Sequence, residues 1–278
     1  MKLGYLGPPG SYSYEAACLY AAGGDLECVP LPSFSAVVEE VEQGRIAWGI
    51  LPVENSTYGA VATAMDLLLN LNNGAVCGET VLNIEHCLLG TGSGDGDIQY
   101  VYSHHQALEQ CRRFFSGYYP HIGLIPCLST SQACELALKS GPAYGAVASK
   151  AAARLYRLPV LAESIQDNAF NQTRFLIIGH QLMPPTGADK TSIAFAFFGD
   201  RPGSLFSILQ SFADRDINLT RIESRPAQKL LGEYIFYVDF TGHAQAALGD
   251  SALREIGGKV RWLKVLGSYP LGVPLPRR

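Results

Sequence analysis

The chain is short of charge. Asp, Glu, Lys and Arg make up 17% of its 278 residues and the net charge is −4, with a pI near 5.9. A nucleic-acid partner calls for a basic stripe that this sequence does not have. No apolar run approaches the roughly 18 residues needed to cross a bilayer, so a membrane partner is excluded as well. The opening Met1–Gly7 runs directly into a strand-like pattern, without the apolar segment and small-residue cleavage site of a secretory leader. Cysteine is present in the wrong pattern for a scaffold: seven residues, all between Cys18 and Cys134, with no C-x-x-C pair. They read as reduced core thiols of a cytoplasmic protein, ahead of disulfides or a metal site. What the chain does have is apolar content, 47%. That is enough for a packed core and, at this length, for two domains.

Strand and helix alternate from the start. Leu3–Leu6 is a short apolar strand, and Gly7–Ser13 is a turn whose hydroxyls can cap the helix that follows. A second helix carries Phe34, Val37, Val38 and Val41 on one stripe behind a Ser33 cap. Ile46–Leu51 is a buried strand ending in Pro52–Thr57, where Asn55 and Ser56 are candidate caps for a helix over 61–71. A long extended run, Val76–Leu89, leads into a second alternation. It has strands at Tyr100–Tyr102, Ile122–Cys127 and Tyr144–Ala148, a helix with Leu108, Cys111 and Phe115 inward, and a helix over Thr130–Leu138. Two α/β units joined by extended passes make two lobes and a cleft, the favoured ligand position in open α/β folds. Five polar segments follow strands: Gly7–Ser13, Glu54–Thr57, Ser103–Gln106, Ser129–Gln132 and Asn171–Phe175. All five are expected to converge on that cleft.

Leu182–Asp189, punctuated by Pro and Gly, reads as a linker. Beyond it the order is strand (191–198), helix (204–214), strand (217–224), strand (234–240), helix (245–255), strand (260–266). The first helix sets Leu205, Ile208, Leu209 and Phe212 on one face, and the third strand alternates Tyr234, Phe236, Val238 and Phe240. This βαββαβ order is the ferredoxin-like arrangement.

The stretch from Leu161 to Phe175 lies between two apolar strands and carries acids, amides, a hydroxyl and an Arg. Glu163–Asp167 followed by Asn171-Gln172-Thr173-Arg174-Phe175 resembles the signature of the prephenate dehydratase family, whose hallmark is Thr-Arg-Phe. Further blocks are similar to that family in the same order: Gly4–Ala17, Pro52–Ser56, Ser103–Leu108 and Ser129–Ala133. One departure is His105, which stands where the family usually has proline. Gly203-Ser204-Leu205 and Asn218–Pro226 resemble the two phenylalanine-site motifs of the attached ACT domain, with Ser204 in place of the usual alanine.

The resemblance implies a two-lobed, periplasmic-binding-protein-like (type II) α/β catalytic domain over 1–182, then an ACT domain over 190–268. The lobes fall at about 1–80 plus 160–182 and at about 81–159. It also implies conversion of prephenate to phenylpyruvate with loss of carbon dioxide and water, without cofactor or metal. Thr173 is then the catalytic hydroxyl, facing the departing group. Tyr12, Ser13, Asn55, Ser56, His104, Gln106, Thr130, Arg174 and Phe175 surround the substrate, with Arg174 either on a substrate carboxylate or paired with Glu163 or Asp167. L-Phenylalanine is expected between ACT domains of a homodimer or homotetramer, near Gly203, Ser204, Leu205, Asn218, Leu219, Glu223 and Ser224. A chain ending near Gly187 is expected to stay active yet ignore phenylalanine. Two other readings stay open: the same chemistry on arogenate, and a non-catalytic amino-acid-binding protein.

Overall fold

A computed structural model describes residues 1–22, 25–91, 98–199, 201–227 and 233–272. The first lobe is built from β1 (Lys2–Leu6), α1 (Tyr12–Ala21), β2 (Glu27–Leu31), α2 (Phe34–Glu42), β3 (Trp48–Asn55), β4 (Gly59–Ala60), α3 (Ala62–Asn70) and β5 (Ala75–Asn83). Hydroxyls start its helices as the sequence implies. Ser11 accepts from the Tyr14 amide ahead of α1, and Ser33 accepts from Ala36 ahead of α2. Asn55 and Ser56 cap nothing, because the β4 turn intervenes and α3 begins behind Val61 with no side-chain cap.

The second lobe comprises β6 (Cys87–Gly90), β7 (Tyr100–His104), α4 (His105–Gln110), α5 (Arg112–Tyr118), β8 (Gly123–Cys127), α6 (Thr130–Ser140), β9 (Tyr144–Ala148), α7 (Lys150–Tyr156) and β10 (Val160–Ala162). β11 (Gln172–Gly179) then returns and inserts antiparallel between β3 and β5. The two sheets run β2-β1-β3-β11-β5, with β4 beside β3, and β10-β6-β9-β7-β8. Because β10 pairs with β6, the chain recrosses after Ala162, not at about 160. The lobes are therefore joined by two crossings, one between β5 and β6 and one between β10 and β11.

The remainder is β12 (Asp189–Ala196), α8 (Ser204–Ala213), β13 (Leu219–Pro226), β14 (Tyr234–Thr241), α9 (Ala247–Gly257) and β15 (Trp262–Pro270), in sheet order β13-β14-β12-β15. Period two on β14 separates two cores. Val238 and Phe240 join Ile208, Phe212 and Ile256 under the helices, with Phe236 packed against them. Tyr237 points the other way, and with Ala194, Leu266 and Tyr269 it enters the core of the first lobe beside Val76, Leu176 and Ile178. The helix-free face of this sheet thus lies on the first lobe. β15 comes so close to β5 that a Cβ on Gly267 would stand 2.0 Å from the Val76 carbonyl oxygen. A Pro/Gly linker is compatible with separable domains, but this shared core is not. A chain cut near Gly187 would expose it.

Candidate active site

Two neighbouring rungs of the β3–β11 pair organise the site. Thr173 lies opposite Asn55, and Arg174 lies opposite Glu54. Successive residues of a strand point to opposite faces, so the two rungs look in opposite directions. Thr173 and Phe175 face α1. Phe175 is fully buried beside Tyr5, Leu82 and Ile84, forming the floor.

The polarity of the Thr173 rung can be worked out from the backbone. Asn55 Oδ1 accepts from the amides of Thr57 at 2.9 Å and Tyr58 at 3.0 Å, so its other terminus must be the NH2. That Nδ2 donates to Thr173 Oγ1 at 2.9 Å and to Asn171 Oδ1 at 2.9 Å. Thr173 Oγ1 is thus an acceptor towards Asn55, and its own proton is left for a second partner. Asn171 Nδ2 donates to Gln110 Oε1 at 3.0 Å, His86 Nε2 lies 2.6 Å from the same oxygen, and His86 Nδ1 lies 2.7 Å from the Tyr12 phenol. Tyr12 OH also reaches Glu85 O at 2.9 Å. Burial raises the Tyr12 pKa well above its ordinary value. Burial also depresses that of His86, against the opposing effect of its hydrogen bond to Gln110. A continuous hydrogen-bonded chain therefore runs Thr173–Asn55–Asn171–Gln110–His86–Tyr12 across both lobes.

Among the described residues of the other segments, only the loop after β3 touches this chain, through the Tyr58 amide on Asn55. Tyr58 OH donates to Gln106 O at 3.1 Å, tying the β3 loop to the start of α4. His104 caps α4 by accepting from the Gln106 amide at 3.3 Å, its pKa lowered by burial and by His105. The Gln106 side chain is exposed. His105 is the first residue of α4. That is the position where proline is favoured and any residue is tolerated, so its substitution there leaves the turn intact. Thr130 is buried at the start of α6 behind the Ser129 cap. The neighbouring Ser131 Oγ is 3.4 Å from where a Cβ on Gly10 would lie, and Tyr156 OH donates to Pro9 O at 3.2 Å. Ser13 is buried on the inner side of α1.

Two expected substrate residues are committed elsewhere. Ser56 Oγ donates to Phe170 O at 2.9 Å and accepts from Gln172 N at 2.9 Å, so it clamps the returning loop. Arg174 faces away from Thr173. Its Nε donates to Glu79 at 2.7 Å, Nη1 to Asp239, and Nη2 to the Tyr269 hydroxyl at 2.8 Å. Neither Glu163 nor Asp167 is its partner. Glu163 pairs with Lys150, and Asp167 accepts from the Arg113 amide. Burial works against the Arg174 charge, but Tyr269, Asp239 and Glu79 outweigh it and raise its pKa. Glu79 also takes Lys190 at 2.8 Å, and Glu54 lies 3.4 Å from Arg221 of β13. The residues missing from the sequence reading are His86 and Gln110, while Asn171 enters it only as the first residue of the Asn171–Phe175 segment. Their sole advance signals are the Glu85-His86 break in an apolar run and the four-residue spacing of Gln110 from Gln106.

At the far end, Gly203 precedes α8 in the left-handed region (φ 82°), which glycine adopts without strain. A groove of about 880 Å³ is lined by Gly203, Ser204, Leu205, Trp262 and Lys264. Asn218 and Leu219 begin β13 at the opposite end of the sheet, since Leu219 pairs with Phe240 and Pro226 with Tyr234. Glu223 and Ser224 lie between them on this edge strand. Within one chain the second motif reaches this groove at Pro226, while Asn218 and Leu219 lie away from it.

A two-lobed α/β fold with a hydroxyl–amide network at the lobe junction, backed by a docked ferredoxin-like sheet, defines a protein of cleft-binding type with an attached ferredoxin-like domain. The family model described as prephenate dehydratase matches residues 3–182, and the ACT domain model matches residues 199–258. The chain is 42% identical over 270 residues to a bifunctional chorismate mutase/prephenate dehydratase of Aquifex aeolicus (strain VF5), covering 97% of this chain and 74% of that one. It is 36% identical over 273 residues to a prephenate dehydratase of Methanocaldococcus jannaschii, covering 96% and 97%. The solved prephenate dehydratase of Arthrobacter aurescens in complex with L-Phe superposes with a TM-score of 0.89 at 31% identity, over 100% of this chain and 92% of that one. The chain belongs to the prephenate dehydratase family.

Proposed function

We propose that the chain converts prephenate to phenylpyruvate in the cytoplasm, with Thr173 donating to the hydroxyl that leaves the ring. The observation that carries this reading is the fixed direction of the Asn55–Thr173 hydrogen bond. A hydroxyl that accepts a hydrogen bond becomes a better donor of its own proton, so Asn55 both aims Thr173 and sharpens it. Loss of the ring carboxylate as carbon dioxide supplies the electron pair that expels the hydroxyl, and aromatisation drives the step. No strong nucleophile is needed. With Arg174 turned away, the substrate carboxylates fall to neutral donors: the start of α6 at Thr130, and the Ser13, His104 and Gln106 side of the cleft; Tyr12, whose single proton serves His86 Nδ1 or Glu85 O, is not among them. Phe175 supports the floor. Positioned proton donation is worth roughly 10²–10⁴ in rate. Thr173→Ala is therefore expected to lose that factor in phenylpyruvate formation, with Thr173→Ser retaining part of it. Near-wild-type turnover by the alanine variant removes Thr173 from the reaction. Running the same assay with arogenate decides between the two substrates.

For regulation, the effector is L-phenylalanine, bound where Gly203–Leu205 of one subunit meets Asn218–Ser224 of another. The distance of Asn218 and Leu219 from Gly203 within one chain and the edge position of β13, with Ile222 exposed, support a site completed by a second copy. Light scattering with and without phenylalanine tests for the homodimer or homotetramer this requires. A monomer that binds phenylalanine with full affinity rules it out.

A further inference from the structure

The hydrogen-bonded chain behind Thr173 is anchored at one end by two backbone amides, which leaves its far end to be accounted for. If Gln110 turned its amide over, its NH2 would face Asn171. Asn171 would then have to turn as well and set its own NH2 against the NH2 of Asn55, which the amides of Thr57 and Tyr58 hold in place. Two donors 2.9 Å apart repel, so this orientation is closed. Gln110 Oε1 consequently has to accept on both sides, and the 2.6 Å contact with His86 Nε2 is a bond only if that nitrogen carries a proton. The Tyr12 phenol has one proton and two acceptors in reach, Nδ1 at 2.7 Å and Glu85 O at 2.9 Å, and a ring protonated on Nε2 leaves Nδ1 open to accept it. His86 is 2% exposed and sits in the crossing between β5 and β6, so its ring is held by both lobes.

We propose that His86 is the positioning residue that closes the far end of this chain, whose direction the Thr57 and Tyr58 amides set at Asn55. As a neutral imidazole protonated on Nε2, it donates to Gln110 Oε1 and so steadies Gln110 and Asn171 behind the Asn55–Thr173 bond, which keeps Thr173 placed with its proton free for the substrate. The proposal rests on Thr173 acting as the donor. His86 touches no reacting atom. Its removal should therefore act on turnover more than on substrate affinity. A glutamine at position 86 can place an NH2 where Nε2 stands, whereas an asparagine reaches only the Nδ1 position. This makes the pair a test of which nitrogen matters.

The experiment combines ¹⁵N spectra of histidine-labelled enzyme with kinetics of His86→Gln, His86→Asn and Thr173→Ala in phenylpyruvate formation. The expected spectrum shows a neutral His86 bearing its proton on Nε2; an Nδ1-protonated or doubly protonated ring overturns the proposal even if neither variant folds. His86→Gln should hold kcat within about threefold, while His86→Asn should lose on the order of tenfold or more in kcat, with KM shifted less than about threefold. Equal kcat in the two variants, or a loss confined to KM, overturns it. If Thr173→Ala is active the parent reading falls. If Thr173→Ala is dead and the two His86 variants match, this inference alone falls.

Discussion

Replacing Arg174 by Met tests the division of labour between the two rungs of β11. The guanidinium side chain is 11% exposed and its carboxylate partners Glu79 and Asp239 are 2% and 5% exposed. Removing one member of such a buried set leaves a charge without compensation, at a cost of about 3–5 kcal/mol. Glu79 keeps Lys190 and the Gly272 amide, so the penalty concentrates on Asp239. Asp239→Asn in the Arg174→Met background should therefore recover on the order of 1–3 kcal/mol of the summed losses, the coupling expected of residues in contact. An internal control is Lys150–Glu163, with side chains 39% and 59% exposed, where Lys150→Met should cost about 1 kcal/mol or less. The measurement is urea unfolding followed by tryptophan fluorescence. The two tryptophans divide the labour well, with Trp48 on β3 in the first lobe and Trp262 on β15 in the ACT sheet. Both should report a lower midpoint in Arg174→Met, because the ion set spans the boundary between them. The KM for prephenate should stay close to that of the parent. A loss below about 1 kcal/mol, or a large rise in KM with unchanged stability, would refute the assignment and return Arg174 to the substrate.

Gly267→Ala should detach the ACT sheet from β5, because the new methyl would meet the Val76 backbone at 2.0 Å and backbone cannot swing aside. We expect a loss of at least about 1–3 kcal/mol and dye binding to the uncovered core. Glu255 is held at about 2 by hydrogen bonds from Lys259, Ser211 and Arg215. Since its folded pKa lies below its unfolded value, its contribution is present at neutral pH and fades as the pH falls from the ordinary carboxylate range towards 2. Carboxyl ¹³C titration reads this directly, and Glu255→Gln should flatten the acid limb of the stability curve. Burial pushes the thiols of Cys77 and Cys134 up to about 12, so a thiolate-directed reagent should leave both unmodified at pH 8 until urea unfolds the chain.

Much of this fold is legible in residue patterns, because period two and period 3.6 each report which face of an element is wet. Val37, Val38 and Val41 are buried as their spacing requires, and the βαββαβ order of the second module holds strand for strand. Period two also says that Thr173 and Arg174 look opposite ways. It does not say which face is the cleft, and Arg174's partner Asp239 lies 65 residues further on. A local reading therefore offered it Glu163 and Asp167. Ser56 was misread for a similar reason: a hydroxyl in a loop looks available until the returning backbone at Phe170 and Gln172 takes both of its hydrogen bonds. His86 and Gln110 sit in a crossing segment and at a helix end, where no periodicity marks a side chain. Only the packing of the two lobes makes them neighbours.

The paired rungs carry one last consequence. Asn55 and Glu54 are successive residues, as are Thr173 and Arg174, and the outer pair grips Asp239, Tyr269 and Arg221 of the regulatory sheet. A tilt of that sheet would act on the backbone one residue away from the Thr173 hydroxyl. Linkage then works in both directions: whatever factor an effector applies to substrate affinity, substrate must apply to effector affinity. Saturating the cleft is thus itself a way of tuning the sensor.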